Sequence, residues 1–188
     1  MKVLLAVSDP NIKMTLRELL VPRGIIISGE AGNASEALRR CRCLPVDLVI
    51  MDAEIEGGRA GQVAIILEED AVAPVLMLAT NRDPGIRDFA YIMKPVTAAN
   101  LIPAIDSTLF NYRKRLSLLK EVDRLRNQIA TRRSIDMAKG VLMRHHHMSE
   151  EQAHRFLQKT SMDKGIPLKE VADAVVAFNK NIKGECEL

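Results

Sequence analysis

The sequence predicts an α/β protein: a doubly wound, parallel five-stranded sheet, then a long helix, then a C-terminal three-helix bundle. Three observations carry this expectation. Five short apolar or β-branched runs, mostly separated by helical patterns, occupy the first half. From Thr97 to His145 only Pro103 and Gly140 interrupt a helical stretch, and three helical apolar stripes lie between Arg132 and Phe178. Strands alternating with helices pair in parallel, because each crossover returns the chain to the same end of the sheet.

The runs Val3 to Val7, Ile25 to Ile27, Asp47 to Met51, Pro74 to Ala79 and Phe89 to Met93 are the expected strands. Helical patterns at Asn11 to Leu20, Ser35 to Cys41 and Ala60 to Glu69 fill the gaps between them. Helices then cover both faces of the sheet, and its reactive edge lies beyond the strands' carboxyl ends. There the chain places Asp9, Asp52 and Lys94. Only residues 81–88 separate the fourth and fifth strands, and they contain the turn signal Asp83-Pro84-Gly85. Eight residues are too few for an ordinary crossover helix, so that helix is expected to be missing or reduced to a turn.

Thr97 can cap the long helix, and no Gly/Ser-rich segment follows, so the connection is expected to be stiff. Leu118, Val122, Leu125 and Ile129 step by four, three and four, a coiled-coil seam limited by Asn111, Arg115 and Arg132 to under two heptads. The seam favours a homodimer; packing on the chain's own domains is the alternative. In the bundle the stripes are Ile135, Ala138 and Leu142; Ala153, Phe156, Leu157 and Thr160; and Leu168, Val171, Ala172, Val175 and Val176. Ser149 with Gln152 forms a capping box, Gly165 suits the following reversal, and Pro167 fits the first turn of the last helix. The expected domains are 1–110 (flavodoxin-like), 111–131 (helical, coiled-coil linker) and 132–183 (three-helix bundle).

Composition narrows the function classes. With 47% apolar residues, 27% charged residues and no apolar run long enough to span a bilayer, the chain of 188 residues reads as a soluble protein of one or two domains, without a membrane partner. The start MKVLLAVSDP reads as a strand rather than a signal peptide, so a cytoplasmic location is expected. Cys41, Cys43 and Cys186 form no CxxC pair and are expected to be reduced thiols. Residues 1–112 carry 11 Lys and Arg against 14 Asp and Glu, a net of −3, whereas residues 113–188 carry 16 against 10, a net of +6. Phosphate backbones attract such a basic half; a solvated helix face is the plainer reading.

The run Ala138-Lys139-Gly140-Val141-Leu142-Met143, with Ser149 to Ala153, Ser161-Met162 and Val171-Ala172, resembles the ANTAR domain over about a quarter of the chain. That resemblance implies a three-helix module that binds paired RNA stem-loops in a nascent transcript and so prevents a terminator hairpin from forming. Residues 1–110 resemble the receiver domain of two-component response regulators. The matching pieces are Ser8-Asp9, the DLVIMD run ending in Asp52, and Tyr91 with Lys94-Pro95. Together the resemblances imply a non-enzymatic transcription antiterminator whose receiver gates RNA binding or dimerisation.

For the receiver, the resemblance implies Asp52 as the acceptor of a phosphoryl group from a sensor histidine kinase. A carboxylate is the nucleophile such a transfer needs. Mg²⁺ is the implied cofactor, held by hard oxygens of Asp9, Asp52 and the Glu54 backbone carbonyl. Lys94 and Thr80 are the implied phosphoryl contacts and Tyr91 the switch aromatic. Taken singly, Asp9 reads as an N-cap ahead of Pro10 and Lys94 as a surface cation. The chain also departs from the receiver pattern. Ser8 stands at a usually acidic position, Ala79 stands where a hydroxyl is usual, with Thr80 one residue later, and Glu56 replaces a proline. These departures, with the short 81–88 segment, point to a changed switch and to another regulatory protein as an alternative partner.

For RNA contact the candidates are Lys139, Arg144, Arg132, Arg133, Lys159 and Lys164, basic residues on or beside the bundle and off its stripes. Gly140 allows close backbone approach or helix packing. Consecutive His145, His146 and His147 cannot supply an i, i+4 zinc pair and are expected to close a helix near its negative end. The Met residues are expected in the core. With 3% aromatic residues and Phe156 on a stripe, no stacking platform is expected. The alternatives are a DNA-binding response regulator, disfavoured by the small apolar residues of PLKEVADAVVAFNK, and a protein-interaction module that binds no nucleic acid.

Overall fold

The computed structural model describes residues 1–81 and 88–184, with side chains to residue 179. Strands β1 (Lys2–Ala6), β2 (Ile26–Ala31), β3 (Leu48–Asp52), β4 (Val75–Ala79) and β5 (Ala90–Met93) form one sheet in the order β2-β1-β3-β4-β5. Every neighbouring pair is parallel. Helices α1 (Pro10–Leu20), α2 (Ala34–Cys43) and α3 (Ala60–Glu69) follow the first three strands. Then come α4 (Ala98–His146), α5 (Glu150–Lys164) and α6 (Leu168–Gly184). The expected loss of a helix between β4 and β5 falls largely on residues 82–87, outside the described residues.

Strand periodicity builds two cores. Leu4, Ala6, Val49, Met51, Val75 and Met77 face one side with Ala37 of α2 and Val63, Ala64 and Leu67 of α3. Val3, Leu5, Leu48, Ile50, Leu76 and Leu78 face the other with Leu16 and Leu20 of α1 and Leu101 and Ile105 of α4. Every residue of β3 and β4 is buried, as expected for central strands covered on both faces. Each fully buried Leu or Ile contributes about 1.5–3 kcal/mol of burial free energy. Strand β2 runs beyond its expected end at Ile27, to Ala31. The polar stretch Ser28-Gly29-Glu30 hid it, because an edge strand needs only partial burial and its pairing to β1 supplies the rest.

The chain divides into two compact units, Met1–Leu116 and Ser117–Leu188, with α4 continuous through the boundary. In the second unit Ala138, Leu142, Ala153, Leu157, Val171 and Ala172 form a small core, flanked by Ile135, Leu168, Val175 and Val176. The capping box is present: Ser149 Oγ accepts from Gln152 N (3.2 Å) and Gln152 Oε1 accepts from Ser149 N (2.9 Å). Gly165 takes a left-handed φ of 62° at the end of α5. Pro167 stands just before α6, its carbonyl accepting from Glu170 N and Val171 N.

Two expectations about packing are corrected. Only Met51 and Met77 are fully buried; Met14, Met137, Met143 and Met162 are 58, 55, 41 and 82% exposed. Phe156 shares the helical spacing of its stripe but is 43% exposed, at the rim rather than in the core. Small bundles bury a narrow stripe, and residues at its margin stay open.

Candidate functional site

The order β2-β1-β3-β4-β5 reverses direction between β1 and β3, and the crevice at such a reversal is where α/β sheets bind ligands. Asp52 is the last residue of β3, with its side chain 7% exposed. Lys94 directly follows β5 and is anchored by its backbone N–H donating to Ala79 O at 2.9 Å. Its ammonium lies 2.8 Å from Asp52 Oδ1 and 2.9 Å from Oδ2. Oδ1 also accepts from Glu54 N at 3.0 Å, and the Glu54 carboxylate stands 3.8 Å from the same ammonium. Lys94 is therefore no free surface cation, and Oδ2 is the less occupied carboxylate oxygen.

The structure brings Asp52, Lys94 and Glu54 together. Asp9 is exposed and its carboxylate accepts from Asn11 N at 2.8 Å, capping α1. Thr80, just past β4, is exposed, while Ala79 before it is buried. Tyr91 is 37% exposed on β5. Among the described residues no trio of His, Cys, Asp or Glu side chains is arranged to hold a metal. The expected magnesium set uses two carboxylates and a backbone carbonyl, hard donors that suit the ion. An incoming dication would nonetheless meet the Lys94 ammonium already on Asp52.

Ser8 does something that composition could not reveal. Its Oγ donates to Gly32 O at 2.7 Å and accepts from Glu56 N at 3.0 Å. An isolated bridge joins Asn33 to Glu56, and Ala34 N donates to Glu56 O at 3.4 Å. The hydroxyl thus ties the loops after β1, β2 and β3 to one another. A carboxylate there, having no proton to give Gly32, could not make both bonds.

In the second unit the basic candidates do not form one cluster. Arg132 and Lys139 line a groove of about 620 Å³ with Arg124, Asn127, Gln128, Thr131, Asp136 and His154. With Ile135, the lining positions on α4 from Arg124 to Lys139 step by three and one repeatedly, a single helix face, and that spacing was the overlooked signal. Lys139 is not an open cation: its ammonium contacts Glu150 at 2.8 Å and Asp136 at 3.0 Å, and its side chain is 17% exposed. The bond to Glu150, then that to Asp136, raises its pKa above the usual lysine value. Arg132, Arg133, Arg144 and Lys159 are exposed. Lys164, also exposed, lines a different groove with His145 and His146. A Cβ at Gly140 would meet only the Arg144 guanidinium, at an ordinary 3.6 Å, so helix packing does not require that glycine.

The first unit has the topology of a receiver, joined to a helical output unit. Its fold matches the signal receiver domain of a modulated diguanylate cyclase from Desulfovibrio desulfuricans G20 (TM-score 0.55, 23% identity, 61% of this chain and 97% of that one). It also matches the receiver domain of the response regulator NarL from Mycobacterium tuberculosis (TM-score 0.51, 18% identity, 57% and 94%). Residues 123–176 match the ANTAR domain family. Over 184 residues the chain is 33% identical to the transcriptional regulatory protein PdtaR of Mycobacterium tuberculosis, covering 93% of this chain and 89% of that one. It is 26% identical to the aliphatic amidase regulator of Pseudomonas aeruginosa over 85 residues, 45% and 43% of the two chains. The chain belongs to the ANTAR response regulators: a receiver domain followed by an ANTAR domain. No described helix is long and apolar enough to cross a membrane.

Proposed function

We propose that the chain binds stem-loop RNA in nascent transcripts and acts in the cytoplasm as a transcription antiterminator. The ANTAR match over residues 123–176 carries this reading. The groove on the α4 face, which Arg124 and Arg132 line, supports it, since an RNA backbone is attracted to guanidinium groups. Filter binding of the full chain to hairpin RNA across a salt series tests it. The expected result is an affinity that falls steeply with salt, and no affinity for any hairpin at low ionic strength overturns the reading.

In this reading the receiver controls when RNA is bound. Asp52 Oδ2 attacks the phosphorus of a phosphohistidine on a partner kinase, and the donor's P–N bond breaks to leave an acyl phosphate. Lys94, already on both carboxylate oxygens, neutralises the phosphoryl oxygens, with Thr80 as a further contact. Magnesium, held by Asp9, Asp52 and the Glu54 carbonyl, would supply further neutralisation of that charge. With a serine at position 8, committed to Gly32 and Glu56, the residues present would offer such an ion one carboxylate fewer and would hold it weakly. Intact mass after acetyl phosphate and Mg²⁺ treatment checks acceptance: wild type gains one phosphoryl group and Asp52→Asn gains none. An unmodified wild type would leave control to a docked regulatory protein.

A further inference from the structure

Phe156 of α5 and Phe178 of α6 are 43% and 70% exposed, and both line one groove of about 610 Å³ with the end of α4. The chain has four Phe, so half of them stand open on this surface. Phenyl rings normally contribute by burial, and two left open on one groove mark a surface that receives another molecule. The floor is apolar and belongs to the small core of the unit. Around it stand His145 and His146 from the last turn of α4, Lys164 from the last turn of α5, and Asn179; among the described residues no carboxylate lines the groove.

We infer that this groove takes an unpaired nucleobase of a bound RNA, stacked against Phe156 and Phe178, with the flanking phosphates met by Lys164 and the two imidazoles. The inference rests on the RNA-binding reading above and adds a base-recognition site to it. Charge decides between this occupant and an apolar protein segment. A protein helix would need only the floor and rings, whereas the described rim residues offer Lys164, two imidazoles and an amide and no carboxylate, the complement of a nucleotide's phosphate. Stacking on aromatic rings tolerates any base, and Asn179 offers both donor and acceptor to a base edge.

The test uses the full chain with two probes: a pool of RNA hairpins with randomised, unpaired loops and a blunt, fully paired RNA duplex. Wild type, Phe156→Ala/Phe178→Ala and Phe156→Tyr/Phe178→Tyr are compared. Both rings lie outside the bundle core, and circular dichroism confirms that the variants fold. The alanine pair should bind the hairpin pool at least about tenfold more weakly, the tyrosine pair should retain affinity, and duplex binding should change little. Hairpins from the pool carrying 2-aminopurine in the loop should lose fluorescence on wild type and not on the alanine pair. Hairpin binding that is unchanged in the alanine pair overturns the inference while leaving the RNA reading intact. Unchanged hairpin binding with self-association abolished identifies a protein-docking surface, which also overturns it. No hairpin binding by wild type overturns both.

Discussion

The Lys94 ammonium bridges both oxygens of Asp52, at 2.8 and 2.9 Å, where the carboxylate is 7% exposed and the ammonium-bearing side chain 18% exposed. Removing the cation alone strands a charge in a site that water barely reaches. Lys94→Ala should therefore lower stability by about 3 kcal/mol, read from the urea midpoint. Lys94→Ala/Asp52→Asn should cost clearly less than the sum of the two single changes. Additive costs would mean that the pair is not coupled.

Ser8 holds the loops after β2 and β3 through one donated and one accepted bond. Ser8→Ala should cost about 1–3 kcal/mol, because Gly32 O and Glu56 N lose their partner. Ser8→Asp should lower the metal-free melting temperature and, by restoring a carboxylate beside Asp9, tighten Mg²⁺ binding in calorimetric titration. A variant that binds the ion no better would show that charge at position 8 does not limit the site.

Lys139 has spent much of its charge on Glu150 and Asp136, whereas Arg132 and Arg133 are exposed. Arg132→Ala/Arg133→Ala should therefore flatten the salt dependence of RNA binding more than Lys139→Ala does, by roughly one unit of slope for each phosphate no longer neutralised. The pKa of Lys139 is raised in the folded state, so its ion pairs stabilise fully below the ordinary lysine value of 10.5 and fade only as pH rises through the higher folded value. Lys139→Ala should accordingly change stability by the same amount at every pH in the neutral range.

Leu118, Val122, Leu125 and Ile129 are 58, 41, 44 and 55% exposed on one face of α4. A second copy would bury them, at about 1.5–3 kcal/mol for each side chain fully covered. Sedimentation of the full chain should show a dimer, and Leu118→Lys/Leu125→Lys should make it a monomer. A wild type that sediments as a monomer, with and without RNA, removes the dimer proposal.

Gly140 has room for a methyl group. Gly140→Ala should raise the melting temperature, by up to about 1 kcal/mol of helix propensity. A concurrent fall in RNA affinity would place the RNA backbone against that turn; unchanged affinity would leave the glycine without a binding role.

Much of the fold was legible because its signals are local. The continuous apolar runs at Val3 to Val7 and Leu48 to Met51, the Ser149/Gln152 capping box and the stripe ending in Val176 all reflect neighbours along the chain. The grouping of Asp52 with Lys94 was legible as well, since both lie at strand ends that a parallel sheet must bring to one edge. Four features escaped. The Ser8 latch depends on Gly32 and Glu56, 24 and 48 residues away. The pairing of Lys139 depends on Glu150 of the next helix, and charge counted by segment missed the single α4 face holding Arg124, Arg132 and Lys139. Phe156 obeyed a core periodicity and yet faces a groove.

By itself, then, the sequence determined the elements, their parallel order and the acid and lysine at the sheet edge, because backbone periodicity and caps act over a few residues. Tertiary structure alone decided that Glu150 joins Asp136 on Lys139, which hydroxyl ties the loops and which aromatic rings stay open. Those outcomes depend on the solvent exposure and geometry that distant segments impose on a side chain, and no local pattern encodes them.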